Sequence, residues 1–424
     1  MKTVRLFTLH SMKTERQTRM KTIIIGLFCA GACGLQAAEP NPPEPAKKAG
    51  VNMNLEFDAV VPAASNAKAQ KPGLGNPGME RPHVGPETYP RAIYSWAEVG
   101  TYKVPPELKN FRKATSLFIL TNAAKFGIKA DDWMSDASSI LHYKGTYHCW
   151  VIHQYNVKRS DGNSWVLHIT TTDTTNWMAV GYVPLGPKGS CYDNQINSGD
   201  VVFHDGKWYF FGGASSTDKT KTIGGAGIVC LVANAPEGPW QQVGDDYLLK
   251  PGGNAWESNF GGLDNPEIIH LNGKWFMYYK TLAKSLASVP RAGRFTVCSV
   301  AVSDSLTGPY KKYERNPLFQ AHGVFAFRYK QGIVMMPFGS AATSCVMWSE
   351  DGLHFTAPLE NDYYTPLPQN FFMFGSLYVP HDPLFGAAVT DKPVTKYWGL
   401  DNIKTKNWHF VRMEWEFGPS KRSE

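Results

Sequence analysis

Apolar and polar residues alternate in short runs from about residue 130 onward, and polar turns that carry glycine separate the runs. Alternation with a period of two predicts half-buried β-strands, and a glycine turn between two such runs predicts a hairpin. A half-unit of strand, glycine turn and aromatic strand occurs four times, as SSILHYKGTYHCWV, DVVFHDGKWYFFG, PEIIHLNGKWFMYY and VFAFRYKQGIVMMP. Its turn glycines, separated by 61, 67 and 59 residues, are Gly145, Gly206, Gly273 and Gly332.

A second half-unit, made of a strand, a polar turn and an aromatic residue, follows each of these hairpins and occurs once more near the C-terminus. Its five copies are HITTTDTTNWMAVG, CLVANAPEGPWQQVG, CSVAVSDSLTGPYKKY, CVMWSEDGLHFTAP and YWGLDNIKTKNWHFV, and NFFMFGSLYVPHDPLFGAAV is a degenerate fifth copy of the first half. Each full unit supplies about four strands and cannot bury both faces alone, so the units must stack. The repeat therefore predicts an all-β fold, a five-bladed β-propeller over residues 126–420.

The pattern differs before the repeat. Residues 76–125 contain YPRAIYSWAEVG and PPELKNFRKA, and proline opening the second stretch predicts a short N-terminal helical extension. Residues 39–75 are rich in Pro, Ala, Gly and Lys, which predicts an extended linker.

The first 38 residues have the features of an export signal. Lys21 precedes an apolar core that ends in Leu35-Gln36-Ala37, so residues 1–38 are predicted to be a signal peptide, with Met20 as an alternative start. Cys33 leaves a lipid anchor open as an alternative, although Ala30 stands where such motifs usually have Leu. We expect a periplasmic or secreted protein.

Composition excludes several classes of function. The formal charge of +7 falls to +2 once the +5 of residues 1–38 is removed, which gives no electrostatic reason to expect nucleic acid as a partner. No run of 18 apolar residues after residue 40 predicts a membrane span. The five cysteines outside the signal form no CxxC pair, which favours buried thiols over a disulfide framework or a zinc site. No cofactor or metal site is predicted, and a structural cation in the channel is left open.

Candidate catalytic residues stand where the copies differ, just ahead of the first strand of each blade. Asp136 and Asp264 each lie nine residues before their turn glycines, and His322 lies ten before Gly332. Because first strands line a propeller's channel, these three side chains are expected to converge. A lone Asp at such a place would more often cap a turn. Two Asp residues at the same position of their blades, with a His in a third blade, favour a catalytic role over a structural one.

Candidate substrate-binding residues lie nearby in the repeat. Asn194 and Gln195 precede the second blade and could bind sugar hydroxyls, and His153 and Gln154 end a strand of the first blade. Trp165 and Trp256 lie outside the repeat positions, where stacking on a sugar face and ordinary packing are both open.

Two stretches carry a family resemblance. SDASSILHYKGTYHCW and LDNPEIIHLNGKWFMYYK resemble the blade 1 and blade 3 motifs of five-bladed glycosidases in families 43, 62 and 117. The second, with its closing YYK, is most similar to family 117. The resemblance spans residues 90–415 and implies an exo-acting enzyme that removes non-reducing 3,6-anhydro-α-L-galactose from agar-type oligosaccharides.

The resemblance also implies roles. Asp136 matches the general base that activates water, and Asp264 matches the carboxylate that orients substrate and tunes the acid. The family's His-Glu pair reads His322-Gly323 here, so His322 is the candidate acid. The family's S-x-A-x-x-R motif, linked to helix exchange between subunits, ends in Gly100 instead of Arg, and a homodimer through the extension stays an expectation.

Two alternatives remain beside an inverting glycosidase, whose acid and base stand roughly 6.5–9.5 Å apart. One is a family 43-like arabinofuranosidase or xylosidase, which the missing blade 4 Glu disfavours. The other is a carbohydrate-binding propeller without activity. For the enzyme, Asp264 beside His322 is expected to favour the imidazolium form that an acid needs.

Overall fold

The computed structural model describes residues 111–154, 164–221, 226–252, 257, 262–283, 295–338, 347–355, 371–379, 389–390, 396–404 and 408–417, except 117, 130 and 131. This part is all-β, and its one short helix is a 3-10 turn at Ala123–Phe126. None of its helices is long and apolar enough to cross a membrane. The predicted signal peptide, linker and first part of the extension lie outside the described residues.

The strands form five sheets, numbered here by the position of each sheet's hairpin or first strand in the chain. Sheet 1 contains β2 (Ile119–Leu120), β3 (Trp133–Ser135), β4 (Leu141–Tyr143), β5 (Thr146–Gln154), β6 (Trp165–Thr171) and β7 (Asn176–Tyr182). Sheet 2 contains β8 (Gln195–His204), β9 (Lys207–Ser215), β10 (Gly227–Ala233) and β11 (Gln241–Gln242). Sheet 3 contains β12 (Leu263–Leu271), β13 (Lys274–Ala283), β14 (Phe295–Ser303), β15 (Lys311–Lys312) and β16 (Phe319–Gln320).

The remaining two sheets complete the repeat. Sheet 4 contains β17 (Gly323–Tyr329), β18 (Gly332–Phe338), β19 (Met347–Ser349) and β21 (Val389–Thr390). Sheet 5 contains β20 (Phe371–Leu377), β22 (Lys396–Lys404), β23 (Trp408–Phe417) and, on its outside, β1 (Phe111–Ser116). Consecutive strands within a sheet run mostly antiparallel, as in a propeller blade.

Neighbouring sheets pack face to face in a propeller-like arrangement. Strand β5 contacts β8, β8 contacts β12, β12 contacts β17, β17 contacts β20, and β23 contacts β3. Buried apolar layers fill the spaces between sheets 1 and 2, 2 and 3, 3 and 4, and 5 and 1. Large aromatic side chains help to fill these layers, each of which covers the facing sides of two sheets; the fully buried ones include Trp150, Trp177, Trp208, Tyr278 and Phe319.

The predicted hairpins form with two-residue turns in which both residues have positive φ. The turns are Lys144-Gly145, Asp205-Gly206 and Asn272-Gly273, and their φ values are 48 and 83°, 49 and 72°, and 51 and 75°. Most side chains avoid this backbone region, whereas glycine enters it freely and asparagine and aspartate tolerate it. Such turns match the right-handed twist of the strands they join.

The fourth hairpin corrects the predicted register. Tyr329 pairs with Gly332, so the turn is Lys330-Gln331 and Gly332 begins strand β18. Counted from the second turn residue, His322 lies nine residues upstream, as Asp136 and Asp264 do. Asn197 holds the same position in sheet 2. Gly332 suggested a turn position, but tight packing explains the glycine, because a Cβ atom at residue 332 would clash with Trp348.

The predicted helix at PPELKNFRKA is wrong at its end. Residues Phe111–Ser116 form β1, which pairs antiparallel with β23 from Phe111 opposite Phe417 to Ser116 opposite Arg412. Ladder bonds to an otherwise open sheet edge override local helix propensity here. The helical extension is therefore not observed in this stretch.

Two buried acids fasten neighbouring sheets together. Asp200 on β8 accepts hydrogen bonds from the backbone N–H groups of Ser139 (3.2 Å) and Ile268 (3.0 Å), and Glu267 on β12 accepts one from Ala326 (3.0 Å). Burial raises the pKa of both carboxyl groups, and the charge of Asp200 adds to the rise at Glu267. These acids satisfy backbone donors where first strands meet.

The cysteines of the described residues agree with the predicted buried thiols. Cys149, Cys191, Cys230 and Cys298 are buried and free, and the latter two occupy the third strands of sheets 2 and 3.

Candidate active site

A bulge in β12 begins the site. Asp264 pairs with Lys280 across β12 and β13, and the register then slips before Glu267. Lys280 Nζ lies 2.9 Å from Asp264 Oδ2, and the two side chains are only 10% and 11% exposed. Removing one partner of such an ion pair leaves an unpaired charge in a nearly buried place, which lowers the stability of the fold.

Asp264 also reaches the neighbouring sheet. A Cβ atom on Gly213 of β9 would stand 2.3 Å from Asp264 Oδ1. Oδ1 is buried and makes no hydrogen bond among the described residues. The missing side chain at 213 therefore provides the space that lets the carboxylate take this position.

Lys280 connects Asp264 to His322. Its Nζ lies 3.5 Å from His322 Nε2, and His322 is 7% exposed. An ammonium group can only donate, so Nε2 serves as the acceptor in this contact. The sequence predicted Asp264 directly beside His322, favouring imidazolium. Lys280 stands between them, and its positive charge opposes that effect.

Asp136 enters from sheet 1, one residue after β3. Its φ is 48°, a left-handed conformation that Asp tolerates better than most residues. Ser135 Oγ donates to Oδ2 at 2.6 Å, and Asn265 Nδ2 donates to Oδ1 at 3.1 Å. Asn265 immediately follows Asp264, so the structure brings sheet 1 and sheet 3 together at these residues.

Burial raises the pKa of Asp136 above its ordinary value. The charge of Lys280 and the hydrogen bonds from Ser135 and Asn265 oppose the rise, and the nearby charge of Asp264 adds to it. A carboxylate with a raised pKa that still ionises is a stronger base than one in water. The arrangement can therefore hold a carboxylate that takes a proton from water.

Polar residues of sheet 2 form a second group. Gln195 Nε2 donates to Ser164 Oγ at 2.7 Å and to Asn197 Oδ1 at 3.3 Å, and Ser164 Oγ also donates to Asn197 Oδ1. Two donors on Oδ1 fix the orientation of the Asn197 amide. Asn194 Nδ2 donates to Ser215 Oγ at 3.0 Å.

The other predicted binding residues have varied surroundings. His153 is fully buried, with Nε2 3.1 Å from Asp132 Oδ2 and Nδ1 2.9 Å from the Tyr182 hydroxyl. Burial lowers its pKa despite Asp132, and this setting is typical of a structural histidine. Gln154 and Trp165 are half-buried at the ends of β5 and β6, and Trp256 lies outside the described residues.

Two residues of the site, Lys280 and Asn265, were not predicted from the sequence. Lys280 ends the YYK string and is the one cation between Trp275 and Ala283 of β13, an otherwise mostly apolar and aromatic stretch, which is a usable signal. Asn265 had no such signal because its contact depends on a left-handed backbone with φ of 46°. Among the described residues, no group of three or more His, Cys, Asp or Glu side chains could hold a metal ion.

Comparison with known proteins defines the class of fold. No protein-family model and no curated protein matches the sequence. Solved structures that share this propeller fold include glycoside hydrolases. The likeness is one of fold, because the sequence identities are low.

Two of these structures are particular examples. Zg3597, a family 117 glycoside hydrolase produced by the marine bacterium Zobellia galactanivorans, has a TM-score of 0.56 at 17% identity, covering 74% of this chain and 92% of that chain. A structure described as a glycoside hydrolase has a TM-score of 0.53 at 11% identity, covering 74% of this chain and 96% of that chain. The predicted resemblance to family 117 is confirmed at the level of the fold.

Proposed function

We propose that this protein is a secreted, exo-acting glycoside hydrolase built on a five-bladed β-propeller. Its proposed reaction removes terminal sugars, with 3,6-anhydro-α-L-galactose as the candidate, from algal-galactan-type oligosaccharides. The observation that carries the proposal is the convergence of Asp136 from sheet 1 with the Asp264, Lys280 and His322 group from sheets 3 and 4. The five sheets and the apolar layers between them support the proposed five-bladed ring. The fold shared with Zg3597 supports the assignment to glycoside hydrolases.

In the proposed mechanism Asp136 is the general base. Its raised pKa equips it to accept a proton from the attacking water, and Ser135 and Asn265 hold its two oxygens. Inversion requires the acid on the opposite face of the sugar, roughly 6.5–9.5 Å from the base. Residues that enter from separate blades can meet this requirement.

His322 is the proposed acid, supported by the position it shares with Asp136 and Asp264 ahead of a first strand. Because Nε2 accepts from Lys280, it must gain a proton before it can act as an acid. That proton comes either from the Lys280 ammonium, which becomes a neutral amine, or from water once the contact with Lys280 has opened. Asp264 holds Lys280 and thereby keeps the ammonium near His322. Gln195 and Asn194 remain the proposed hydroxyl ligands.

The decisive experiment incubates the purified protein with agar-, carrageenan- and arabinoxylan-derived oligosaccharides. Asp136→Asn is the matched variant, because Asn keeps the left-handed backbone and the shape of the side chain. We expect release of a terminal sugar from one substrate by the wild type and at least a roughly hundredfold slower release by the variant. NMR of the first-formed anomer tests inversion. Binding without turnover on every substrate would instead support the carbohydrate-binding alternative, and release from arabinoxylan alone the family 43-like one.

Export and assembly have separate tests. Mass measurement of the exported protein should give a chain beginning near residue 39, and a lipid-modified Cys33 would support the anchored form instead. Sedimentation of the mature chain tests the proposed homodimer.

A further inference from the structure

Asn265 has an unusual backbone for its place in the chain. Its φ is 46°, and it precedes Pro266 within the bulge of β12. Left-handed residues other than glycine are uncommon, and a following proline restricts the backbone further. Such a conformation persists where surrounding contacts hold it, and it is often found at functional sites.

The side chain of Asn265 contacts the proposed base across two sheets. Its Nδ2 donates to Asp136 Oδ1 at 3.1 Å, whereas the other carboxylate oxygen takes its hydrogen bond from Ser135, next to Asp136 in sequence. The hydrogen bond from Asn265 therefore fixes the Asp136 carboxylate relative to sheet 3. The charged groups that face Asp136 are Lys280 on β13 and Asp264 on β12.

The orientation of the Asn265 amide leaves its oxygen without a hydrogen bond, and this indicates which charge state of Asp136 the amide favours. Its Oδ1 is buried and accepts no hydrogen bond among the described residues. A buried acceptor without a partner is unfavourable. The reverse orientation would place Oδ1 against a carboxylate oxygen, which is worse while Asp136 is ionised. The amide therefore fits an Asp136 that carries its charge.

We propose that Asn265 is a positioning residue that holds the Asp136 carboxylate ionised and aimed at the attacking water. The inference rests on the proposed function, in which Asp136 is the base. It also gives the β12 bulge a double role: Asp264 holds Lys280 against His322, and the next residue holds the base. One irregularity of one strand thereby sets the relation between base and acid.

The test replaces Asn265 by Gly, which accepts positive φ and removes the hydrogen bond. Asn272→Gly is the matched control, because Asn272 has φ of 51° in an exposed turn away from the site. For Asn265→Gly we expect the acidic limb of the kcat/KM profile to move up by about one pH unit and kcat to fall about tenfold, with little change in KM. Asn265→Asp, which replaces the donor by an acceptor, should move the limb further. Asn272→Gly should match the wild type.

A measurement that needs no turnover separates this inference from the proposed function. In protein with ¹³C-labelled aspartate carboxyls, with the Asp136 signal assigned through Asp136→Asn, the Asp136 titration should move to higher pH in Asn265→Gly. An unchanged titration and an unchanged pH profile would overturn the inference. A wild type without turnover, together with a moved titration, would sink the proposed function and leave the Asn265–Asp136 coupling standing.

Discussion

Residue 213 has no room for a side chain because Asp264 occupies the adjacent space. A Cβ on Gly213 would lie 2.3 Å from Asp264 Oδ1, whereas a Cβ on Gly181 of β7 would meet nothing within 4 Å. We expect Gly213→Ala to displace Asp264, to lower turnover at least about tenfold and to cost about 1–3 kcal/mol of unfolding free energy. Denaturant unfolding and kinetics check this. Equal behaviour of Gly213→Ala and the control Gly181→Ala would contradict it.

The Asp264–Lys280 ion pair gives a second prediction at this scale. With 10% and 11% of the side chains exposed, removing one charge leaves the other nearly buried. Lys280→Met should therefore lose about 3–5 kcal/mol of unfolding free energy.

The double variant Asp264→Asn/Lys280→Met is the control for this pair. It should recover a large part of the stability but none of the activity, as measured by urea unfolding alongside kinetics. Losses that simply add in the double variant would show that the pair is not coupled.

Individual residues differ in how far the sequence reveals them. Asp136, Asp264 and His322 could be singled out because a repeated chain exposes the positions where copies differ. Lys280 carried a usable signal as the one cation in a mostly apolar stretch of β13, but its partners follow from the pairing of β12 with β13. Asn265 could not be assigned, because its contact follows from a bulge that no local pattern encodes. His153 looked accessible at a strand end, but Asp132 and Tyr182 enclose it.

At the scale of elements, buried acids add hydrogen bonds to the apolar packing between neighbouring sheets. Glu267 accepts the Ala326 N–H, and its pKa is raised by burial and by Asp200. An acid whose folded pKa is raised binds its proton more tightly when folded. The stability it contributes is present below its unfolded pKa, about 4.3, and is lost as pH rises through the folded pKa.

Glu267→Gln tests this linkage, because the amide oxygen can still accept from Ala326 and does not titrate. The variant should equal the wild type near pH 4 and exceed it in stability at pH 8. The gap should open by at most about 1.4 kcal/mol per pH unit within the window. Unfolding free energies across this range measure it. Parallel curves for the two proteins would contradict the assignment, and Glu267→Ala should be less stable than either at low pH.

Hairpins are the elements that sequence predicts best, because two-residue turns with positive φ favour glycine and asparagine. The Lys330-Gln331 turn lacks both signals at its second residue, and the nearby Gly332 drew the predicted turn one residue too far. Strand β1 was harder still. Nothing within the sequence of Phe111–Ser116 indicates that this segment pairs with β23.

For the whole molecule, β1 completes sheet 5. Without it, β23 would present an unpaired edge to solvent, which favours association with other chains. We expect a chain that begins at residue 118, and so lacks β1, to unfold at a lower temperature and to aggregate more than a chain that begins at residue 101, which keeps β1. Thermal unfolding and gel filtration compare the two. Equal melting temperatures would show that β1 adds nothing to the ring.

The same pairing governs when the protein can finish folding. Phe111 meets Phe417, a residue 306 positions later in the chain. Contacts of such long range form slowly, because the intervening chain must be ordered first. Strand β1 therefore stays without its neighbour until the chain as far as Phe417 is available for pairing, so sheets 1 to 4 can assemble in turn before sheet 5 is completed.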